Sequence, residues 1–274
     1  MSKISDPLDA TFHYYIDRWR LTPEGNAIVT RTSRLLPVRW QGAAAILKVA
    51  VDAEEELGNH LMAWWKGQGV PLVLAREGKA ILLERAQDEA SLADLVRDGR
   101  DDEATRIICA VVAKLHLPRS QPIPTLVPLS EWFRELAPAA ETYGGILSLS
   151  VATAHKLLAA PGEIGVLHGD IHHDNILRFG ERGWLAIDPK GLIGEYAFDY
   201  ANLFCNPDHK TAADPRRFGR RLEIVTKTAR LDRIRILRWI LAWGGLSAAW
   251  KINDHIPPDT PLRVAELAAV ELSL

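Results

Sequence analysis

Polar residues concentrate in one short segment, residues 166–177, whose apolar flanks are typical of buried strands. This segment contains an aspartate, Asp170, and an asparagine five residues later, Asn175, and a second strand-like run ends on Asp188. Burying so many polar groups is costly unless they form hydrogen bonds or serve a function. The two carboxylates and the amide form a hard oxygen set that suits Mg²⁺, with one carboxylate left over to act as a base.

Two regions of different character must position these residues. Strand-length runs separated by turns occur at 27–32, 35–40, 43–49, 72–75 and 80–84, and a helix capped by Asp52 interrupts them. Ser91-x-x-Asp94 opens a short helix, and helical patterns follow at 101–115, 130–139, 152–159, 215–229, 233–251 and 262–272. We therefore predict an α+β protein with an N-terminal lobe, residues 1–86, built on a small antiparallel sheet with one crossing helix. The C-terminal lobe, residues 87–274, is predicted to be mainly helical.

Composition excludes several classes of protein. Of the 274 residues, 47% are hydrophobic and 25% charged, which is typical of a globular chain. The formal net charge of −2 disfavours a dedicated nucleic-acid binder, which needs a basic field. The apolar run 239–250 is too short to span a bilayer, and no signal-peptide core follows Met1. We expect a cytoplasmic protein with no membrane or nucleic-acid partner; its oligomeric state is left open.

The pattern His168-Gly-Asp170-x-x-x-x-Asn175, followed by Asp188, resembles the catalytic loop and metal motif of the aminoglycoside phosphotransferases. Protein kinases carry His-Arg-Asp and Asp-Phe-Gly at these places, whereas this chain has His-Gly-Asp and Asp-Pro-Lys-Gly. The difference favours kinases of small molecules. The resemblance implies a bilobal protein-kinase-like fold.

Further segments resemble one subgroup of that family, the streptomycin 6-phosphotransferases, which are grouped with the aminoglycoside/hydroxyurea resistance kinases. These segments are 36–39, 64–69, 167–177, 182–189, 198–202, 206–208 and 245–250. The resemblance covers nearly the whole chain. It implies ATP-dependent phosphorylation of an aminoglycoside, most closely streptomycin at its 6-hydroxyl, and hence antibiotic resistance.

The resemblance also implies roles for residues of the phosphate-transfer site. Asp170 would accept or orient the proton of the acceptor hydroxyl. Asn175 and Asp188 would hold Mg²⁺ on the phosphates of ATP. Lys48, in the strand-like run Ala45-Ile-Leu-Lys48, would bind the α- and β-phosphates. The following helix offers Glu55 or Glu56 as the partner of Lys48, and Glu56 is the preferred one.

Contacts with the rest of the nucleotide and with the acceptor are also expected. The backbone of Glu84 and Ala86 would hydrogen-bond the adenine. No Gly-x-Gly-x-x-Gly is present, so Ser33 or backbone amides would cover the phosphates. On the acceptor side, four residues are candidates for the pocket or its supporting loop: His172, Asp174, Glu195 and Asp199. Asp174 and Glu195 could meet guanidinium groups, Asp199 could instead cap a helix or brace the catalytic loop, and Trp243 and Trp250 could line the pocket.

Other functions remain open at this stage. The kinase could act on another small hydroxyl-bearing metabolite or on hydroxyurea. The cluster of His168, Asp170, His172, His173 and Asp174 also resembles the dense histidine and aspartate sets of metallohydrolases. A nucleotide-binding pseudokinase scaffold is the third alternative.

Overall fold

The structure, a computed structural model, describes residues 10–86 and 90–274. Its N-terminal part contains helices α1 (Ala10–Trp19) and α2 (Ala53–Trp65) and strands β1 (Thr22–Pro23), β2 (Ile28–Val29), β3 (Ser33–Trp40), β4 (Ala43–Ala50), β5 (Val73–Glu77) and β6 (Ala80–Glu84). The strands form one antiparallel sheet in the order β1-β3-β4-β6-β5, with β2 also paired to β3. The predicted sheet and its crossing helix are confirmed, whereas α1 and β1 are additional.

Alternation along β4 decides which side of the sheet Lys48 faces. Successive side chains of a strand point to opposite faces. Ala45, Leu47 and Val49 pack in a small core with Phe12 of α1, so Lys48 lies on the opposite face. That face packs against α2, which places the lysine opposite the acidic first turn of this helix.

The C-terminal part is mainly helical. Its helices are α3 (Leu92–Arg97), α4 (Asp101–Leu115), α5 (Leu129–Trp132), α6 (Leu136–Tyr143), α7 (Ile146–Ala159), α8 (His209–Ala212), α9 (Pro215–Ala229), α10 (Arg233–Asn253) and α11 (Asp259–Glu271). Its strands are β7 (Val127–Pro128), β8 (Ile164–Leu167), β9 (Ile176–Arg178), β10 (Trp184–Ala186) and β11 (Leu192–Glu195). Two small sheets, β9 with β10 and β7-β11-β8, carry the loops that contain the predicted chemistry.

Pairing of β9 with β10 brings the loops at their ends together. Asn175 directly precedes β9, and Asp188 follows β10 by two residues, so the antiparallel register places both at the same end of the hairpin. The Ile187 N–H donates to the Asn175 carbonyl over 2.9 Å and continues this pairing. The catalytic loop emerges from β8, whose antiparallel partner β11 begins just after the Asp188 loop.

The two parts share one large core. It contains Leu61 and Trp65 of α2, Ile81 and Leu83 of β6, and most of the C-terminal helices. The division after residue 86 stays a prediction, and residues 87–89 lie outside the described part of the chain.

Helix α10 is the apolar run 239–250 extended at both ends, and it is buried among other helices. Two glycines allow its neighbours to approach: a Cβ on Gly244 would press on α11 at Pro261 and Ala265, and one on Gly245 would overlap Ser150 of α7. None of the helices in the described residues is long and apolar enough to cross a membrane.

Substitution of Gly245, with Gly219 of another helix as the comparison, tests this packing. We expect Gly245→Ala to lower the free energy of unfolding by about 1–3 kcal/mol, because the new methyl group overlaps Ser150. Gly219 of α9 has open space where its Cβ would lie. Gly219→Ala should therefore raise stability by about 0.5–1 kcal/mol. Urea unfolding measures both, and equal effects of the two substitutions would contradict this account of the α7–α10 contact.

Candidate active site

Asp170 lies in the loop after β8, and side-chain amides hold both of its carboxylate oxygens. Asn175 Nδ2 donates to Asp170 Oδ2 over 3.2 Å and to the Asp170 carbonyl over 2.9 Å. Asn202 Nδ2 donates to Asp170 Oδ1 over 2.8 Å. Two neutral amides orient the carboxylate, and Lys190 Nζ lies 4.0 Å from its Oδ2. The carboxylate can still accept a proton or a hydrogen bond from a further group.

A buried aspartate, Asp199, braces this loop from below. Its carboxylate accepts hydrogen bonds from the backbone N–H of His168 at 2.9 Å and of Gly169 at 2.7 Å, and it lies 2.8 Å from His116 Nε2. Burial raises the pKa of Asp199, but the hydrogen bonds and the nearby His116 outweigh burial and lower it overall. Of the three roles considered for Asp199, which were the acceptor pocket, a helix cap and a loop brace, the structure supports the brace. Both carboxylate oxygens accept backbone N–H groups of the loop, and the residue is buried away from the cavity.

His168 ties the catalytic loop to the loop that carries Asp188. Its Nε2 lies 2.9 Å from the Ile187 carbonyl, its Nδ1 accepts from the Asp170 N–H, and its own carbonyl accepts from the Lys190 N–H. Burial lowers the pKa of His168, which favours the neutral ring. A neutral ring with its proton on Nε2 satisfies both contacts, so His168 organises the two loops.

Lys48 pairs with Glu55, and the preference for Glu56 is wrong. Lys48 Nζ lies 2.5 Å from Glu55 Oε2, and Glu55 is only 3% exposed. The helix register explains the choice: the Asp52 carboxylate caps α2 by accepting the Glu55 N–H over 2.9 Å. This cap turns Glu55 toward the sheet and moves Glu56 about 100° further around the helix. Thr32 Oγ1 donates to the other Glu55 oxygen over 2.7 Å.

Asp188 meets Lys48 from the other side, since its Oδ1 also contacts Lys48 Nζ. Burial raises the pKa of Asp188, but Lys48 and Lys190 outweigh burial and lower it to about 2, so the carboxylate is ionised. Its backbone has φ of 64°, in the left-handed region where aspartate is tolerated better than most side chains. The backbone therefore leaves the direction of β10 at Asp188, and the side chain of this residue contacts Lys48.

The donor chemistry at this place fits a magnesium ion. Asn175 uses its Nδ2 for Asp170, which leaves its side-chain oxygen as an acceptor, and Asp188 supplies an ionised carboxylate. The Ile187–Asn175 backbone bond holds the two residues side by side. Hard oxygen ligands of this kind suit Mg²⁺, which takes one or two carboxylates together with substrate phosphates.

Lys190 is a further charged residue of the site, and sequence reasoning gave it no role. Its Nζ lies 3.7 Å from Asp188 Oδ2, 3.7 Å from Glu54 Oε1, 3.9 Å from Glu55 Oε1 and 4.0 Å from Asp170 Oδ2. Burial lowers the pKa of Lys190, but these carboxylates outweigh burial and raise it. A charged ammonium group therefore stands between Asp170, the predicted base, and Asp188, a predicted Mg²⁺ ligand.

The other residues predicted to bind the nucleotide are Glu84, Ala86 and Ser33, and the side chains of Glu84 and Ser33 contact other parts of the protein. The carboxylate of Glu84 contacts Arg182 and accepts the Leu72 N–H over 2.8 Å, so its side chain supports the chain turn there. Contacts of the Glu84 and Ala86 backbone with adenine stay predictions. Ser33 is buried and its hydroxyl lies 3.1 Å from Thr30 Oγ1. Arg31 and Thr32, which directly precede Ser33, line the cavity described next.

A cavity of about 720 Å³ opens beside Asp170 and is built from both parts of the chain. Among the described residues its charged lining consists of six acids, Asp52, Glu54, Glu135, Asp170, Asp208 and Asp254, and four basic residues, Arg31, Arg134, Lys190 and Lys251. An ion pair between two of these lining residues, Arg31 and Asp254 at 2.8 Å, joins the N-terminal and C-terminal parts. Trp132, Trp243 and Trp250 also line it, as predicted for Trp243 and Trp250.

The structure separates the acidic residues proposed for the acceptor. His172 lines the cavity, but Asp174 and Glu195 do not. Glu195 is buried, and its carboxylate accepts hydrogen bonds from Arg235 Nε over 2.8 Å and from the Gly162 N–H over 2.9 Å. The guanidinium group that it meets is therefore that of Arg235, and the predicted contact with a guanidinium group of the substrate is wrong. Asp174 is exposed and does not line the cavity, so the structure does not bring it to the predicted acceptor site.

The histidines of the segment do not converge as a metal cluster. His168 bonds to the Ile187 carbonyl, and His173 is buried with neither ring nitrogen hydrogen-bonded. Burial lowers the pKa of His173 to about 2. Across residues 10–86 and 90–274, no three histidine, cysteine, aspartate or glutamate side chains are grouped to hold a metal ion. This arrangement argues against the dinuclear metallohydrolase alternative.

Comparisons with known proteins find related kinases. The family described as aminoglycoside/hydroxyurea antibiotic resistance kinase matches residues 18–255. The chain is 49% identical to a streptomycin 3''-kinase of Klebsiella pneumoniae over 244 residues, which cover 87% of this chain and 91% of that protein. It is 30% identical to a streptomycin 6-kinase of Streptomyces griseus over 270 residues, which cover 93% and 86%.

The fold is similar to that of a thermostable mutant of the aminoglycoside phosphotransferase APH(4)-Ia, solved as a ternary complex with AMP-PNP and hygromycin B. The TM-score is 0.64 with 13% sequence identity, and the match covers 97% of this chain and 100% of that chain. The predicted protein-kinase-like fold is confirmed.

The buried brace of the catalytic loop gives a pH-dependent prediction. Because folding lowers the pKa of Asp199, its carboxylate contributes stability above the unfolded pKa of about 3.9, and this contribution is lost as pH falls through the folded pKa. We expect Asp199→Asn to cost about 2–3 kcal/mol at pH 7. The difference from wild type should shrink near pH 3, as followed by urea unfolding.

The exposed residue Asp174 provides the control for this measurement. Asp174→Asn should change stability at pH 7 by less than about 0.5 kcal/mol, because a surface carboxylate without a buried partner contributes little. A constant difference between Asp199→Asn and wild type from pH 7 to pH 3 would contradict the role of the ionised brace.

Proposed function

Because the chain belongs to the aminoglycoside/hydroxyurea antibiotic resistance kinase family, we propose that it transfers the γ-phosphoryl group of ATP to a hydroxyl group of streptomycin. One observation carries this proposal. Asp170, oriented by two amides, lines a large cavity, and Lys190 links it to the cluster of Lys48, Glu55 and Asp188. This is the arrangement that phosphoryl transfer to a bound alcohol requires.

The nucleotide occupies the side of the site formed by the sheet and α2. Lys48, fixed by Glu55, binds the α- and β-phosphates as a point charge. The backbone of Glu84 and Ala86 holds the adenine. Asn175 and Asp188 hold Mg²⁺, which, when bound, neutralises charge on the phosphates.

The protein forms no covalent bond with the substrates in this reaction; its residues position them and stabilise charge. The acceptor oxygen attacks the γ-phosphorus, the bond between that phosphorus and the β–γ bridging oxygen breaks, and ADP leaves with the bond's electron pair. Asp170 accepts the hydroxyl proton, for which both amide-held oxygens are already oriented. Lys190, 4.0 Å from Asp170, attracts the negative oxygens of the transferring group.

The cavity favours a large cationic acceptor. Its volume of about 720 Å³ is that of a site for a drug-sized molecule, and hydroxyurea would fill little of it. Acidic lining residues outnumber lysine and arginine, and the half-buried Trp132 and Trp250 offer aromatic surface on which guanidinium groups can stack. Streptomycin carries guanidinium groups, so its cationic part matches this lining better than a small neutral alcohol does.

The position of phosphorylation has two candidates. The sequence analysis favours the 6-hydroxyl, whereas the 49% identity with a streptomycin 3''-kinase is well above the 30% identity with a 6-kinase. We propose the 3''-hydroxyl, because the share of matched residues is similar in both relatives and the difference in identity is large. Phosphorylation at either position adds a dianion to a cationic drug and weakens its fit to an anionic RNA site.

The first experiment measures streptomycin-dependent ADP release from ATP with Mg²⁺, for wild type and Asp170→Asn. We expect turnover by the wild type and a loss of about 10²- to 10⁴-fold in kcat for the variant, because the amide cannot accept the proton. Phosphorus–proton correlation spectra of the product identify the modified hydroxyl. Turnover with hydroxyurea or a choline-like alcohol but not with streptomycin would support the kinase activity and contradict streptomycin as the acceptor. Nucleotide binding without any turnover would indicate a scaffold.

A matched pair of substitutions in α2 tests the lysine partner. Glu55→Gln should lower kcat/KM for ATP by about tenfold or more, or ~1.4 kcal/mol, because Lys48 loses its buried counter-charge. Glu56→Gln removes the same charge one residue away and should change kcat/KM by less than about twofold. Equal effects of the two substitutions would contradict the assignment of Glu55.

A further inference from the structure

Asn202 connects the catalytic carboxylate to the wall of the acceptor cavity. It begins the short helical turn Asn202–Cys205, and its Nδ2 donates to Asp170 Oδ1 over 2.8 Å. Its Oδ1 accepts the indole N–H of Trp243 over 3.0 Å. Trp243 belongs to α10, so three separate segments meet in one chain of hydrogen bonds.

Donor and acceptor chemistry allows only one orientation of this amide. An indole N–H can only donate, and an ionised carboxylate can only accept. With Trp243 on one side and Asp170 on the other, the Asn202 oxygen must face the indole and its nitrogen must face the carboxylate. Asn206 Nδ2 supports this orientation by donating to Asn202 Oδ1 over 3.1 Å.

Trp243 is also part of the cavity wall. Its ring packs edge-to-face against Trp250 with centroids 5.5 Å apart, and Trp250 packs in the same way against Trp132 at 5.3 Å. All three rings line the cavity, while Trp243 is only 5% exposed. A molecule held against this wall therefore touches the group of side chains that ends at the Asp170 carboxylate.

We propose that Trp243 is a positioning residue that, through Asn202, sets the orientation of Asp170 in response to the molecule in the acceptor cavity. This inference rests on the proposed kinase function. Without the indole N–H, the Asn202 oxygen keeps its contact with Asn206 Nδ2 but loses the donor from α10. The amide is then held less firmly, and its hydrogen bond to Asp170 Oδ1 weakens. The effect falls on the reaction step, since the aromatic ring that contacts the acceptor can be retained.

Kinetics of three tryptophan-to-phenylalanine variants separate this role from simple packing, with streptomycin as the probe. Trp243→Phe keeps a ring and removes the N–H, and we expect kcat to fall about tenfold to 10²-fold while KM for streptomycin changes little. Trp250→Phe alters the same wall without a hydrogen bond to Asn202 and should act mainly on KM. Trp64→Phe removes an indole bond to the Pro122 carbonyl, outside the cavity, and should leave both constants near wild type.

A spectroscopic readout needs no acceptor and covers the case in which a variant folds poorly. Nine indole N–H resonances are expected from the nine tryptophans, and the one that Trp243→Phe removes belongs to Trp243. We expect Asp170→Asn and Asn202→Ala each to move this resonance in nitrogen–proton spectra, and streptomycin to move it in wild type. The Trp64 resonance should stay in place throughout.

The outcomes separate the two proposals. If streptomycin is not phosphorylated but the Trp243 resonance responds to Asp170→Asn, the acceptor is wrong and the hydrogen-bonded connection stands. If streptomycin is phosphorylated but Trp243→Phe keeps its wild-type kcat, the positioning role is overturned. A Trp243 resonance that ignores both Asp170→Asn and Asn202→Ala overturns it as well.

Discussion

Mutual repulsion among carboxylates is the constraint on which this site depends. Asp170, Asp188, Glu54 and Glu55 all lie within about 4 Å of a single ammonium group, that of Lys190. Like charges so close together would raise one another's pKa and leave some of them protonated. Lys48 and Lys190 prevent this at Asp188, whose pKa is lowered to about 2 despite burial. The sheet contributes Lys48, α2 contributes Glu55, and the β10–β11 loop contributes Asp188 and Lys190. Each of these buried charges would be unfavourable without the opposite charges from the other elements.

The residues of the predicted phosphate-transfer site could be recognised from the sequence because several of them lie close together in the chain. Asp170 and Asn175 are five residues apart in one loop, and a strand pattern with a lone lysine indicated Lys48. The choice between Glu55 and Glu56 could not be made in this way, since it depends on where the Asp52 cap starts the helix. One residue of difference rotates the side chain by about 100°.

Long-range partners account for the wrong assignments. Glu195 looked available for a cationic substrate, yet Arg235 reaches it from α10, forty residues away in sequence. Asp199 meets His116, which is eighty-three residues earlier and belongs to no recognisable motif. Lys190 carried no signal because a lysine in a loop is usually solvated. Such pairings depend on how helices pack, and periodicity in a single sequence does not encode that.

The brace beneath the catalytic loop has a mechanical consequence. Asp199 fastens the backbone at His168 and Gly169 to the helical core, and His168 fastens the loop of Asp188 to the same support. Asp170, Asn175 and Asp188 thus form a rigid reference frame that belongs to the larger part of the molecule. Lys48 and Glu55 sit on the sheet and α2, which adjoin this frame through side-chain contacts. A displacement of the sheet against this frame would therefore act first on the ion pairs of Lys48 and Lys190, whereas the amides that orient Asp170 both belong to the larger part.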